Sequence, residues 1–285
     1  MLASRRIYFI FSLFFFFGFA FVSSQETITI ASFNLRVFGQ SKAEKEVVLN
    51  TMADIISRFD IVAVQEIRDK EETAITKLLS VVNGTGNDYA LVVGTRLGRT
   101  SSKEQYAFFY KTSSVEMEGE PVIWEDAQDQ FEREPFIAMF KTNNGTFDFV
   151  LVNIHTKPED ATREISLLPD VMRYGVSHFI EPDILCLGDW NADGSYFDED
   201  TYQNLFPNQQ YLWLISNSAD TTIAKQNNTY DRMAGTMAMQ EDWTGKWGVY
   251  RFDEENGFKE KGINATEISD HYPVWAVFYS NRDTN

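Results

Sequence analysis

Two short segments concentrate the side chains that could do chemistry. Residues 183–193 (DILCLGDWNAD) and 269–277 (SDHYPVWAV) each join an apolar run to carboxylate, amide or imidazole groups. The cluster follows the run in the first segment and precedes it in the second. Apolar runs of this length read as buried strands, whose ends are rigid enough to fix acids, bases and metal ligands. Asp189, Asn191, Asp270 and His271 are the side-chain types that divalent-metal phosphate chemistry needs. Three further runs end the same way, in Asn34, Glu66 and His155. If these ends converge, they form one site.

The donor types narrow the chemistry. Oxygen-rich ligands with few imidazoles suit Mg²⁺, Mn²⁺ or Ca²⁺ better than zinc. Glu66, with Asn34 and Asp270 near it, would hold such an ion, which would neutralise a scissile phosphate. Proton transfer near neutral pH is the task of imidazole. The chain has 3 His, and two of them, His155 and His271, lie in the clusters. His178 falls in a helical stretch and reads as structural. Cys186 is the single cysteine and sits inside the apolar run, so a buried thiol is expected and no disulfide.

The elements that must position these groups follow from periodicity. Residues 28–33 and 60–64 read as strands delivering Asn34 and Glu66. Between them, 42–59 carries a helical stripe at 48, 52, 55, 56 and 59. Residues 71–82 read as a helix stopped by Asn83-Gly84. Strands are expected at 106–111, 136–141 and 147–154, and a helix at 161–179 interrupted by Pro169. Not every strand pair is bridged by a helix, so a purely parallel sheet is not expected. The pattern suits an α/β (α+β) four-layer sandwich of two mixed or antiparallel sheets flanked by helices.

Composition bounds the setting. Arg5-Arg6, an apolar run over 7–22 and small residues at 22–24 have the layout of a secretory signal over 1–24. The remainder, 25–285, reads as one domain, secreted and without stable membrane association. The net charge of −17 becomes −19 when Arg5 and Arg6 are removed. That excludes a simple basic nucleic-acid binder, and a polyanionic substrate would need cations and a local basic patch. Sequons at Asn83, Asn144, Asn227 and Asn264 agree with a secretory route.

An ordered set of motifs then resembles one family. FNLRVFG (33–39), QEIRD (65–69), KEQY (103–106), REP (133–135), IH (154–155), GDWNAD (188–193), YDR (230–232) and SDHYPV (269–274) match the deoxyribonuclease I family in order and spacing. This family belongs to the wider endonuclease/exonuclease/phosphatase superfamily, and the likeness spans about residues 28–280. It implies two acid/base pairs, Glu104–His155 and Asp231–His271, in which the carboxylate orients the imidazole and raises its pKa. One imidazole would activate water and the other protonate the leaving 3′ oxygen, leaving a 5′-phosphate. Asp189 and Asn191 would hold phosphate, water or metal, and Glu66, Asn34 and Asp270 would ligate Mg²⁺ or Mn²⁺.

Arg36, Arg68 and Arg133, with Tyr230, match the family's contacts to double-stranded DNA. Groove contacts of this kind read width and bendability, so little sequence specificity is implied. Two Ca²⁺ sites are implied too. One uses the Asp220 carboxylate with carbonyls of Thr222, Ala224 and Gln226, and the second is a partial match at Asp129, Phe131 and Glu134. The chain also departs from the pattern. Gly194 and Asn228 stand where the family has its main disulfide, and Ser102 replaces a Tyr that packs on a DNA sugar. Leu91 and Phe136 replace actin-contacting residues, although Val93 is kept, which argues against actin binding. A monomer is expected. The rival readings are another phosphodiesterase of the superfamily, such as a sphingomyelinase, and a catalytically inactive DNA- or protein-binding relative.

Overall fold

A computed structural model of the chain describes residues 27–285. The expected signal segment lies outside the described residues, and among those described no helix is long and apolar enough to cross a membrane. Two six-stranded sheets pack face to face. The first has the order β11-β12-β1-β2-β4-β3, from β1 (Thr27–Phe38), β2 (Ile61–Ile67), β3 (Tyr89–Val93), β4 (Gln105–Lys111), β11 (Trp243–Val249) and β12 (Val274–Tyr279). The second runs β5-β6-β7-β8-β10-β9, from β5 (Val115–Ile123), β6 (Phe136–Thr142), β7 (Asp148–His155), β8 (Ile184–Asp189), β9 (Tyr211–Trp213) and β10 (Asp231–Thr236).

Each sheet holds one parallel pair at its centre, β1 with β2 and β7 with β8, among antiparallel neighbours. A parallel pair needs a crossover, and helices supply it. The short α1 (Gln40–Ala43) and α2 (Glu46–Ile56) lie between β1 and β2, and α4 (Ala161–Phe179) lies between β7 and β8. Helices α3 (Ala74–Asn83) and α5 (Ala265–Ile268) complete the set. The expected four-layer sandwich is the observed architecture.

Strand periodicity explains the layering. In β8, Leu185 and Leu187 point between the sheets, while Ile184 and Cys186 face the layer that includes α4. In β1, Ile28 and Ile30 enter the central layer, and Ala31, Phe33 and Leu35 pack with α2 and α3. Strands buried on both faces therefore read as unbroken apolar runs. Phe147, Phe149 and Phe278 stack in the central layer with centroids 4.6 and 5.7 Å apart. Phe136 is also buried there, against Phe108, so it offers no surface to a partner.

Helices α4 and α2 show how packing departs from the sequence expectation. Helix α4 runs unbroken through Pro169, because its face of Ile165, Leu168, Val171 and Met172 is buried on the second sheet. The ring removes one helical hydrogen bond, and packing along 19 residues outweighs that loss. The 42–59 stripe is two helices, α1 and α2, with Glu44 and Lys45 between them.

Candidate active site

The topology brings the polar strand ends to one edge of the sandwich. Asn34 and Glu66 lie towards the C-terminal ends of the parallel β1 and β2, and His155 and Asp189 close β7 and β8 in register with each other. Asp231 begins the antiparallel β10 opposite Asp189. Glu104 and His271 directly precede or approach antiparallel strands β4 and β12, which places them at the same edge. Backbone strain collects here. Arg36, Val37, Glu66 and Asn191 all have positive φ, between 46° and 60°, a conformation that costs a side-chain-bearing residue free energy and recurs at functional sites. The β1–β2 register shifts between Asn34 and Phe38, so a bulge re-aims Asn34 and its neighbours. Gly188 has φ +149°, and a Cβ there would sit 1.8 Å from the Ile154 carbonyl oxygen, so only glycine lets β8 approach β7 beside His155 and Asp189.

Two carboxylate–imidazole pairs face each other. Glu104 Oε2 lies 2.9 Å from His155 Nδ1, and Asp231 Oδ2 lies 2.8 Å from His271 Nδ1. With Nδ1 held in this way, Nε2 is the atom each ring presents to the cleft. Both Nε2 atoms approach the same oxygen, Asp189 Oδ2, at 3.6 Å from His155 and 3.5 Å from His271. Asp189 is itself fixed. Its Oδ2 accepts from Asn34 Nδ2 at 2.9 Å, and its Oδ1 accepts from the Asn191 backbone at 3.1 Å.

The electrostatics follow from these contacts. Burial alone would raise the Glu104 carboxyl. The charge of His155, its hydrogen bond, and the Arg133 and Arg68 guanidinium groups outweigh burial and hold Glu104 at about 2. Burial likewise disfavours a charged His271, yet the Asp231 and Asp189 carboxylates raise it well above the ordinary histidine value. Asp189 is pushed up by burial and brought below its ordinary value by the two imidazoles and Asn34. The arrangement can bind a phosphate between two proton-transfer atoms.

The residues expected to hold metal or substrate are distributed as follows. Glu66 Oε1 accepts from Asn34 Nδ2 at 3.1 Å, and Oε2 accepts from the Val37 backbone at 2.8 Å. Asp270 is half exposed and 3.5 Å from Arg36 Nε. Among the described residues, Asp189, Asp231 and His271 also bring ligand atoms within 4.8 Å of one another, but a cation among them would compete with the Asp231–His271 hydrogen bond. Of the three arginines, Arg36 is 41% exposed and Arg68 30%. Arg68 bridges Glu66 and Glu104 at 3.1 and 2.6 Å. Arg133 is buried, donating to the His155 carbonyl at 2.9 and 3.1 Å and to Glu104 at 3.4 Å, so it braces that pair from behind. Asn191 Nδ2 donates to the Thr156 carbonyl, and the Tyr230 ring lies 6.3 Å from that of His271.

The two expected calcium loops differ in character. Asp220 Oδ1 and Thr222 Oγ1 are buried without a hydrogen-bond partner, while Asp220 Oδ2 takes Arg251 at 2.9 Å. Buried oxygens without a protein partner fit the ligand set of a cation. This loop also pairs with the segment that carries Asp270 and His271. Ile223 donates to the Asp270 carbonyl, Tyr272 donates to that of Thr221, and Thr221 Oγ1 accepts from the Asp231 backbone. At the second loop, the Arg99 guanidinium donates to Asp129 Oδ1 at 2.9 Å and to the Phe131 carbonyl at 2.9 Å. A calcium ion at Asp129, Phe131 and Glu134 would therefore displace a cation already in the chain.

Several positioning residues escaped the sequence reading. Gln65 Nε2 donates to Asn153 Oδ1 at 2.7 Å and Ser32 Oγ at 3.1 Å, and Asn153 Nδ2 donates to the Val64 and Ala107 carbonyls. This buried network ties the two sheets together directly beneath the site. Tyr106 Oη accepts from the His155 backbone at 2.9 Å, and Ser269 Oγ donates to the Asn34 carbonyl at 2.7 Å. For Gln65 and Asn153 the available signal was a polar side chain inside an apolar strand; Tyr106 and Ser269 carried none.

Comparison with known proteins identifies the family and the fold. The family described as Endonuclease/Exonuclease/phosphatase family matches residues 31–258. The chain is 35% identical over 259 residues to deoxyribonuclease-1 of Gallus gallus, covering 87% of this chain and 91% of that protein. It is 32% identical over 269 residues to deoxyribonuclease gamma of Rattus norvegicus, covering 90% and 86%. Among solved structures, an endonuclease/exonuclease/phosphatase protein of Bacteroides vulgatus superposes with a TM-score of 0.63 at 15% identity. The match covers 89% of this chain and 98% of that one, and supports the fold.

Proposed function

We propose, on the premise that this chain belongs to the deoxyribonuclease I family within the endonuclease/exonuclease/phosphatase superfamily, that it is a secreted, divalent-metal-dependent endonuclease. Its substrate is double-stranded DNA, cut with little sequence preference to leave 5′-phosphate ends. The observation that carries this reading is the convergence of His155 Nε2 and His271 Nε2 on Asp189 Oδ2.

A phosphodiester bound over Asp189 has one imidazole on the side of an attacking water and the other beside the 3′ oxygen. One Nε2 takes the water proton as the new P–O bond forms. The other Nε2 gives its proton to the 3′ oxygen as the P–O3′ bond breaks. Glu104 and Asp231 keep each Nδ1 hydrogen-bonded, so rings and tautomers stay fixed through the exchange. Glu66, a carboxylate hydrogen-bonded to Asn34, suits Mg²⁺ or Mn²⁺, ions that take few protein ligands and complete their shells with water and phosphate, and Asp270 would be the further carboxylate. When bound, such an ion would neutralise charge on the phosphate oxygens. A single Ca²⁺ at Asp220 and Thr222 would hold the loop that braces both Asp231 and His271. The exposed Arg36 supplies a groove contact on an otherwise acidic molecule.

Nicking of supercoiled plasmid in Mg²⁺, with and without Ca²⁺, tests the reading. His155→Ala and His271→Ala are each expected to lose about 10²–10⁴-fold in rate. The nicks should be sealed by a ligase that requires 5′-phosphate. Equal nicking by wild type and both variants would sink the mechanism.

A further inference from the structure

The strand that ends in Asp189 begins beside a second acidic group. Asp183 immediately precedes β8, and six residues at about 3.3 Å each put it about 20 Å from the catalytic carboxylate. Asp183 and Asp242 are buried, and Asp283 is nearly so. One ligand oxygen from each lies within 4.8 Å of the other two. These residues come from three distant parts of the chain: the base of β8, the residue before β11, and the C-terminal segment. Asp148, at the start of β7, lies against Asp283, its backbone N–H 3.5 Å from Asp283 Oδ2.

Ordinary polar satisfaction does not account for this group. Asp183 Oδ1 and Asp242 Oδ1 are buried with no hydrogen-bond partner. Besides Asp148, whose backbone and carboxyl both meet Asp283, the cluster is contacted by Asn285, with Nδ2 donating to Asp183 Oδ2 at 3.2 Å and its backbone to Asp283 Oδ1 at 3.0 Å. The guanidinium of Arg282 lies over the Tyr279 ring, and its charge tempers Asp242 only in part. Burial and the neighbouring carboxylates push Asp183 up to about 7 and Asp242 up to about 6. Three buried carboxylates with two orphaned oxygens are costly unless a cation pairs them.

We propose that Asp183, Asp242 and Asp283 form a hard-cation site of the calcium class, which ties the C-terminal segment to the base of β8. The donor set is all oxygen, which disfavours zinc and copper. Ligand oxygens within 4.8 Å of one another can share one ion, and the flexible shell of about six to eight oxygens around Ca²⁺ suits carboxylates fixed by three separate segments better than the strict octahedron of Mg²⁺. The ion joins the base of β8 in the second sheet to the start of β11 in the first sheet and to the tail that follows β12. The site is separate from the catalytic cleft and from the Asp220 loop, and its role is structural.

Calcium titration of the metal-stripped full chain at pH 7.5, by calorimetry with thermal melts, tests this. Wild type should bind one more Ca²⁺ than Asp242→Asn and than Asp283→Asn, or bind that ion at least tenfold more tightly. Both variants should show a smaller calcium-induced rise in melting temperature. Nicking in Mg²⁺ should be unchanged, because neither residue touches the cleft. Asp283→Asn, in the partly exposed tail, decides the matter if Asp242→Asn does not fold. Asp220→Asn should remove a different ion and leave this one bound, so failure of either calcium site is read separately. Unchanged stoichiometry and affinity in both variants would overturn the proposal. So would variants more stable than wild type at saturating calcium, which would mark the cluster as mere repulsion.

Discussion

Glu104 carries three partners on two oxygens, His155 on one and Arg68 with Arg133 on the other. Its carboxyl sits at about 2 against an ordinary 4.5, so folding favours the ionised form. A depressed folded value stabilises the protein above about pH 4.5, and that contribution is lost as pH falls towards 2. The shift corresponds to about 3 kcal/mol as an order of magnitude. In chelator, the unfolding free energies of wild type and Glu104→Gln should differ by about that amount near pH 6 and converge only as pH falls to about 2. A constant gap across this range would assign the cost to packing. At this scale the sequence was informative about type and poor about direction. Carboxylates and imidazoles at strand ends were legible because such groups are rare inside apolar runs. That Arg133 turns inward, or that Arg99 reaches Asp129 from 30 residues away, depends on packing that no local pattern encodes.

Elements were legible where one face is buried, and their ends were less so. Helix α4 shows both sides of this. Its apolar stripe predicts residues 161–179, and packing overrides Pro169 within it. Its terminus falls at Ile180, left-handed at φ 59° and 90% exposed. A β-branched residue in that conformation costs about 1–2 kcal/mol, and glycine is the usual occupant. Ile180→Gly should therefore raise stability by about 1 kcal/mol, or about 2–4 °C in melting temperature for a chain of this size. The side chain buries almost nothing, so little packing is lost. A lowered melting temperature would show that the left-handed turn is not strained. The same reasoning explains the extended β1, which a strand prediction ended at residue 33. The bulge beyond Asn34 is fixed by β2 and by Glu66, and its cause lies outside the segment itself.

At the scale of the whole molecule, this chain, with its single cysteine, holds a strongly acidic surface and a strained candidate-site edge together without a disulfide. Cys186 is buried in the layer against α4, and burial pushes its thiol well up, so it stays protonated and inert. The positions that could carry a staple are nonetheless adjacent. A Cβ on Gly194 would lie 3.5 Å from Asn228 Oδ1, and the segment between them contains the Asp220–Thr222 loop that braces Asp231 and His271. Closing a loop of about 35 residues stabilises by about 4 kcal/mol in the chain-entropy account. Gly194 has φ +64°, so a cysteine there gives back about 1–2 kcal/mol. The net for Gly194→Cys with Asn228→Cys is about 2–3 kcal/mol, or about 5–10 °C. In the proposed reading a calcium ion now does part of this work. The oxidised double variant should therefore melt higher than its reduced form in chelator, and should gain less from added calcium than wild type does. Identical melting of oxidised and reduced forms, with the new thiols titrating free, would show that the two positions cannot close and that loop order does not limit stability.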